Sequence, residues 1–192
     1  MPNLSKIVCL INQSIQTDAF TGQPFQSAKF HTIARPRENT AQNGWTMPMV
    51  VSDDDNGTFV SPDDTFPLVV YHTVGNPEYI DDQKVDFGDP GTWMVVKYPL
   101  QLICFGDRLK IKTEQENIID SVSYNFPKTF TNSQLKPLGI TDCNIDMDST
   151  NNDSLSVWNQ EFKDVDFSLK NNQFIFSIRY TVKMTYKCFS LC

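Results

Sequence analysis

From Phe174 to Cys188 every even position is apolar or aromatic: Phe174, Phe176, Ile178, Tyr180, Val182, Met184, Tyr186 and Cys188. The odd positions are polar at Ser177, Arg179, Thr181, Lys183, Thr185 and Lys187, with Ile175 the exception. Strand side chains alternate between faces, so a period of two prescribes one ribbon with an apolar and a polar side. At ~3.3 Å per residue the stretch would span roughly 50 Å, whereas most strands have only ~5–6 residues. Such a ribbon either bends sharply or runs past the core of its own domain. The second course would offer it to a neighbouring molecule.

The rest of the chain reads as one domain over residues 1–192. Leu4, Ile7, Val8, Ile11 and Ile15 form one apolar stripe at helical spacing. This predicts a helix over 4–20, capped by Asn3 and ended by Gly22 and Pro24. From 25 to 65 the pattern loosens into short β-like runs separated by Pro, Asn and Gly. That segment is expected to be a long irregular β-hairpin excursion, inserted between the first helix and the main sheet. Asp53-Asp54-Asp55-Asn56-Gly57 would be a hairpin tip, since Asn and Gly tolerate positive φ. Strands are predicted at 66–71 and 93–105, with Pro99 placing the second at an edge or a bulge. Thr113–Glu116 has the spacing of a capping box and predicts a helix that Pro127 stops.

A half-exposed strand follows at 140–147, with Thr141, Cys143, Ile145 and Met147 on one face. A final hairpin is expected between 165–169 and the long ribbon. The class is α+β: an antiparallel or mixed sheet with two helices packed on one face.

Composition narrows the function. Lys and Arg number 16 against 23 Asp and Glu, a net charge of −7, which argues against a nucleic-acid-binding surface. Two His leave little room for His-based catalysis or a His-built metal site. No P-loop, G-x-G-x-x-G, G-x-S-x-G, H-E-x-x-H or C-x-x-C is present. Five Cys at unrelated spacings suit reduced, buried thiols. Ser52, Asp54, Asn56, Gly57 and Asp63 only loosely follow a calcium-loop register, lacking its first Asp and last Glu. No apolar run is long enough to span a membrane, and the N-terminus does not read as a secretory signal. The expectation is a protein without catalytic, cofactor or metal residues.

The charge is unevenly placed. Residues 53–89 hold one basic residue, Lys84, and ten acidic ones, a net −9, including Asp53, Asp54, Asp55, Asp63, Asp64, Asp81, Asp82 and Asp86. Such a segment keeps a surface solvated, repels polyanions or meets a basic partner. These Asp residues, with Arg179, Lys183 and Lys187 on the ribbon's polar side, are the candidate interface or lumen positions.

The layout resembles the phage tail terminator (tail-completion) and head–tail neck proteins. The resemblance covers about residues 4–20 and 66–188. It rests on an amphipathic N-terminal helix, the strand Phe66-Pro67-Leu68-Val69-Val70-Tyr71, a strand–turn–helix from Tyr98 to Phe126, and a terminal hairpin with a long last strand. It implies a structural virion protein, non-enzymatic, joining head and tail as a homo-oligomeric ring, a hexamer or dodecamer, around the DNA channel. Its partners would be portal or connector and tail-tube proteins, without specific nucleic-acid binding or a membrane. It would reside in the virion, and in the host cytoplasm during assembly. The alternative is a β-rich binding module, an adhesin or carbohydrate-binding domain, with Trp45, Trp93 and Trp158 as an aromatic platform.

Overall fold

A computed structural model describes residues 2–16, 28–39, 44–51, 57–60, 66–80, 92–111, 113–166 and 168–188. In chain order the elements are α1 (Pro2–Gln16), β1 (Lys29–Asn39), β2 (Trp45–Val51), β3 (Gly57–Phe59), β4 (Leu68–Val74), β5 (Glu78–Ile80) and β6 (Thr92–Asp107). Then come α2 (Gln115–Asn125), α3 (Asn132–Leu135) with a 3-10 turn at Lys136–Leu138, β7 (Ile140–Asn151), α4 (Ser154–Glu161) and β8 (Gln173–Cys188). The fold is α+β. Eight strands form one mixed sheet in the order β3-β2-β1-β4-β6-β8-β7, with β5 following β4 along the edge of β6. Among the described strands only β1 and β4 pair in parallel.

β8 does not leave its globule. It lies inside the sheet, paired with β6 over all 16 residues, from Asp107↔Gln173 to Thr92↔Cys188, and with β7 from Ser177 to Tyr186. Phe174, Phe176, Ile178, Tyr180, Val182 and Met184 are fully buried by their own chain. The reason is that β6 has the same length, so the ribbon's backbone groups find partners within the molecule.

Two cores sit on opposite faces of this sheet. The first gathers Leu4, Ile7, Val8, Ile11 and Ile15 of α1, Ile118 and Val122 of α2, and Leu135 of α3. They pack on the even side chains of β6 and β8 and on Leu68, Val70, Cys143 and Ile145. The second lies over the other face, where Val157, Trp158 and Phe162 in and after α4 cover Tyr71, Ile103, Phe105, Ile175, Ala34 and Met47.

Several local expectations change. The described residues hold four helices rather than two, α3 and α4 being unforeseen; Asp153 caps α4, its carboxylate accepting from the Leu155 and Ser156 N–H groups. The first helix occupies Pro2–Gln16; Asn3 lies inside it and bonds the Leu138 carbonyl at 3.0 Å instead of capping, and 17–27 lie outside the described residues. Cys9 is exposed on that helix's outer side, whereas Cys104 and Cys143 are buried.

The 25–65 segment is not a detached excursion over its described part. Its strands β1, β2 and β3 continue the sheet: Ala34, Trp45, Met47, Val50 and Phe59 join the second core, while Phe30 and Ile33 of β1 pack against the first. The β2–β3 hairpin forms, with Met49 opposite Phe59, while its tip at 52–56 lies outside the described residues. The described residues 165, 166, 168 and 169 are not in a strand; β8 pairs with β6 and β7 instead. In β7 a register shift between Ile140 and Asp142 buries Ile140 rather than Thr141, and Met147 is 44% exposed.

Pro99 sits in an interior strand. Its carbonyl accepts from the Gly75 N–H at 2.9 Å, so its missing N–H falls where the chain breaks between β4 and β5.

Candidate functional site: the open sheet face

α4 covers only part of its sheet face. Along the odd side of β8, Ile175 and Ser177 are buried, and Arg179 is the first residue exposed. Beyond it the face is polar. Arg179 lies opposite Gln101 and Ser149, Thr181 opposite Pro99 and Asp146, and Lys183 opposite Lys97 and Asn144. Lys97 reaches Glu78 at 3.9 Å, which offsets the two facing lysines.

Where α4 ends, a cleft of about 320 Å³ opens between Thr73, Val74, Gly75, Gln101, Asp148, Gln160 and Arg179. Its walls come from five elements, β4, β6, β7, α4 and β8, and the break after β4 gives it room. Gly75 is held close to Pro99: a Cβ on Gly75 would meet the proline Cγ at 3.1 Å. The Gln160 side-chain amide donates to Gln101 Oε1 at 3.3 Å, and Thr181 Oγ1 donates to Asp148 Oδ2 at 3.2 Å. The guanidinium of Arg179 has no ion pair or hydrogen bond among the described residues.

A second polar constellation is sealed inside the first core. His72 Nδ1 and Tyr180 Oη are 2.8 Å apart, and His72 Nε2 is 2.8 Å from Asn12 Oδ1. Asn12 donates its amide to the His31 carbonyl at 3.0 Å, so its oxygen faces the imidazole. Nε2 is therefore the donor and Nδ1 accepts from the tyrosine. Burial pushes the imidazole down to about 3 and raises the Tyr180 hydroxyl well above its ordinary range. The network ties α1, β1, β4 and β8 together without opening to solvent. At neutral pH this imidazole is an uncharged strut between helix and sheet.

Of the expected interface positions, Arg179 and Lys183 share the open face, with the Thr181 row between them. Lys187 pairs with Trp93 near the end of β8, and its side chain lies outside what is described. Asp53, Asp54, Asp55, Asp63, Asp64, Asp81, Asp82 and Asp86 all fall outside the described residues. Gln101, Asp148 and Gln160 were not singled out from sequence; the polar odd positions of β8 were the available signal, but they do not show which neighbours meet them. Trp158 is buried and stacks on Phe162 at 4.4 Å, and Trp45 packs partly buried against the second core, so those two form no exposed platform.

Among the described residues no group of three or more His, Cys, Asp or Glu could hold a metal ion. Among the described residues no helix is long and apolar enough to cross a membrane. Compared with models of known protein families the chain matches none, and comparison with curated proteins likewise finds no match.

Proposed function

We propose that this chain is a non-enzymatic structural subunit of a phage tail or neck ring, assembling with copies of itself around the DNA channel. The observation that carries the reading is the asymmetry of the sheet. Helices and a turn cover one face, while on the other a polar, helix-free area remains beyond α4. A rigid sheet with one such face suits lateral contact with neighbours, which need not be strongly apolar. The finer architecture belongs to the same reading: α1 and α2 side by side on one face, and the 25–65 segment reaching to a neighbour. So do the virion location and the portal and tail-tube partners.

The length of β8 no longer supports assembly, since its backbone is paired within the chain. The acidic 53–89 segment fits a lumen wall, where Lys or Arg would hold phosphates by counterion release. Light scattering at rising concentration, with electron microscopy of the same samples, tests the reading. Closed rings at multiples of 21.9 kDa are expected. A monomer at every concentration, stabilised by a carbohydrate, would favour the binding module instead.

A further inference from the structure

We propose that the cleft beside α4 receives a carboxylate side chain of a second copy of this chain, with the Arg179 guanidinium donating to it. The inference rests on the ring reading and gives that assembly a specific contact. Arg179 emerges where α4 stops, and its cross-strand neighbours Gln101 and Ser149 carry no charge. The rim carboxylate, Asp148, accepts from Thr181. Because Gln160 donates to Gln101 Oε1, the amide hydrogens of Gln101 remain available in the cleft, with the Thr73 hydroxyl also on its lining. A planar guanidinium, with neutral donors on its Gln101 side and Asp148 bonded to Thr181 on the β7 side, matches the two oxygens of a carboxylate.

The cleft is near the small end of the ~300–1,000 Å³ typical of small-molecule pockets, and a single acidic side chain suits it. Charge complementarity selects the occupant. A second copy brings 23 carboxylate side chains against 16 basic ones. A contact between two different surfaces repeats head to tail, which generates a ring when the rotation closes.

The test uses the full chain in two variants. Arg179→Lys places an amine at the site, and a zero-length carbodiimide then joins it to any carboxylate in contact. With mixed isotope-labelled and unlabelled protein, the expected product is an inter-chain peptide linking position 179 to one acidic residue. Arg179→Glu should raise the concentration needed for assembly about tenfold or more through like-charge repulsion, with its thermal midpoint unchanged. If the wild type forms rings and Arg179→Glu forms them equally well, the site is overturned while the ring reading stands. Links confined within one chain also overturn the site. A wild type that stays monomeric throughout overturns both.

Discussion

Burial pushes the His72 imidazole down to about 3, while Asn12 and Tyr180 keep both ring nitrogens bonded. An unfolded histidine titrates near ~6.5, so between these values the unfolded chain binds a proton that the native state refuses. Stability therefore falls as pH drops below ~6.5, by up to ~1.4 kcal/mol per pH unit, and the loss saturates near the native value. His72→Gln keeps one donor and one acceptor but does not titrate. In urea unfolding, the wild type should lose ~2 kcal/mol more than the variant between pH 6.5 and 5. Equal losses would exclude His72 as the cause.

Gly106 is a second residue whose identity the packing dictates. It lies opposite Phe174 in the β6–β8 register, and an added Cβ would fall within the phenyl ring's van der Waals envelope. Gly106→Ala should cost ~1–3 kcal/mol by overpacking. Combining it with Phe174→Leu should cost less than the two single changes summed, because the shared clash is relieved. Strict additivity would show that the ring does not occupy that space.

At the scale of elements, α4 shows the limit of reading periodicity. Its eight residues bury only Val157 and Trp158, and Leu155 is 65% exposed, so no apolar stripe marks it. The capping signal was present in Asp153, but a Ser/Asn/Asp run reads equally well as a loop. By contrast α1 and β8 were legible because their core contacts repeat over several periods. The Thr113–Glu116 spacing marked the right helix with the wrong cap. α2 starts at Gln115 behind Glu114, which makes no side-chain cap bond, whereas Gln134 Oε1 accepts from the Thr131 N–H at α3.

The cleft was illegible for a different reason. It depends on where α4 stops and where β4 breaks, and side-chain alternation encodes neither. Asp153→Ala should cost ~1 kcal/mol through the lost cap. Trp158→Ala should cost ~3–5 kcal/mol, since the indole fills the second core. Denaturant midpoints check both, and a near-neutral Trp158→Ala would mean that α4 does not hold that core together.

Taken whole, the molecule is a doubly covered centre with a wing. Residues 100–107 of β6 and 173–180 of β8 have strand neighbours and largely buried side chains, so their amides should exchange only on global unfolding. The wing is held differently. β1 meets β4 through a register shift between Phe30 and Ile33, and β3 pairs with β2 over three residues. Thr46 and Lys163 exchange two backbone hydrogen bonds at 3.0 Å, and this links β2 to the segment after α4. β2 and β3 therefore attach largely through the second core, whereas Phe30 and Ile33 tie β1 to the first as well.

Native-state hydrogen exchange should find β2 and β3 opening before the centre, with one shared rate for the central β6 and β8 amides. In Trp158→Ala the wing should lose protection by more than the global destabilisation. Loss by the same amount everywhere would mean that sheet and wing unfold as one unit. If β2 and β3 open by themselves they can adjust to a neighbour without disturbing the centre, since Trp45, Met47, Val50 and Phe59 pack in the second core and not in the one beneath α1 and α2.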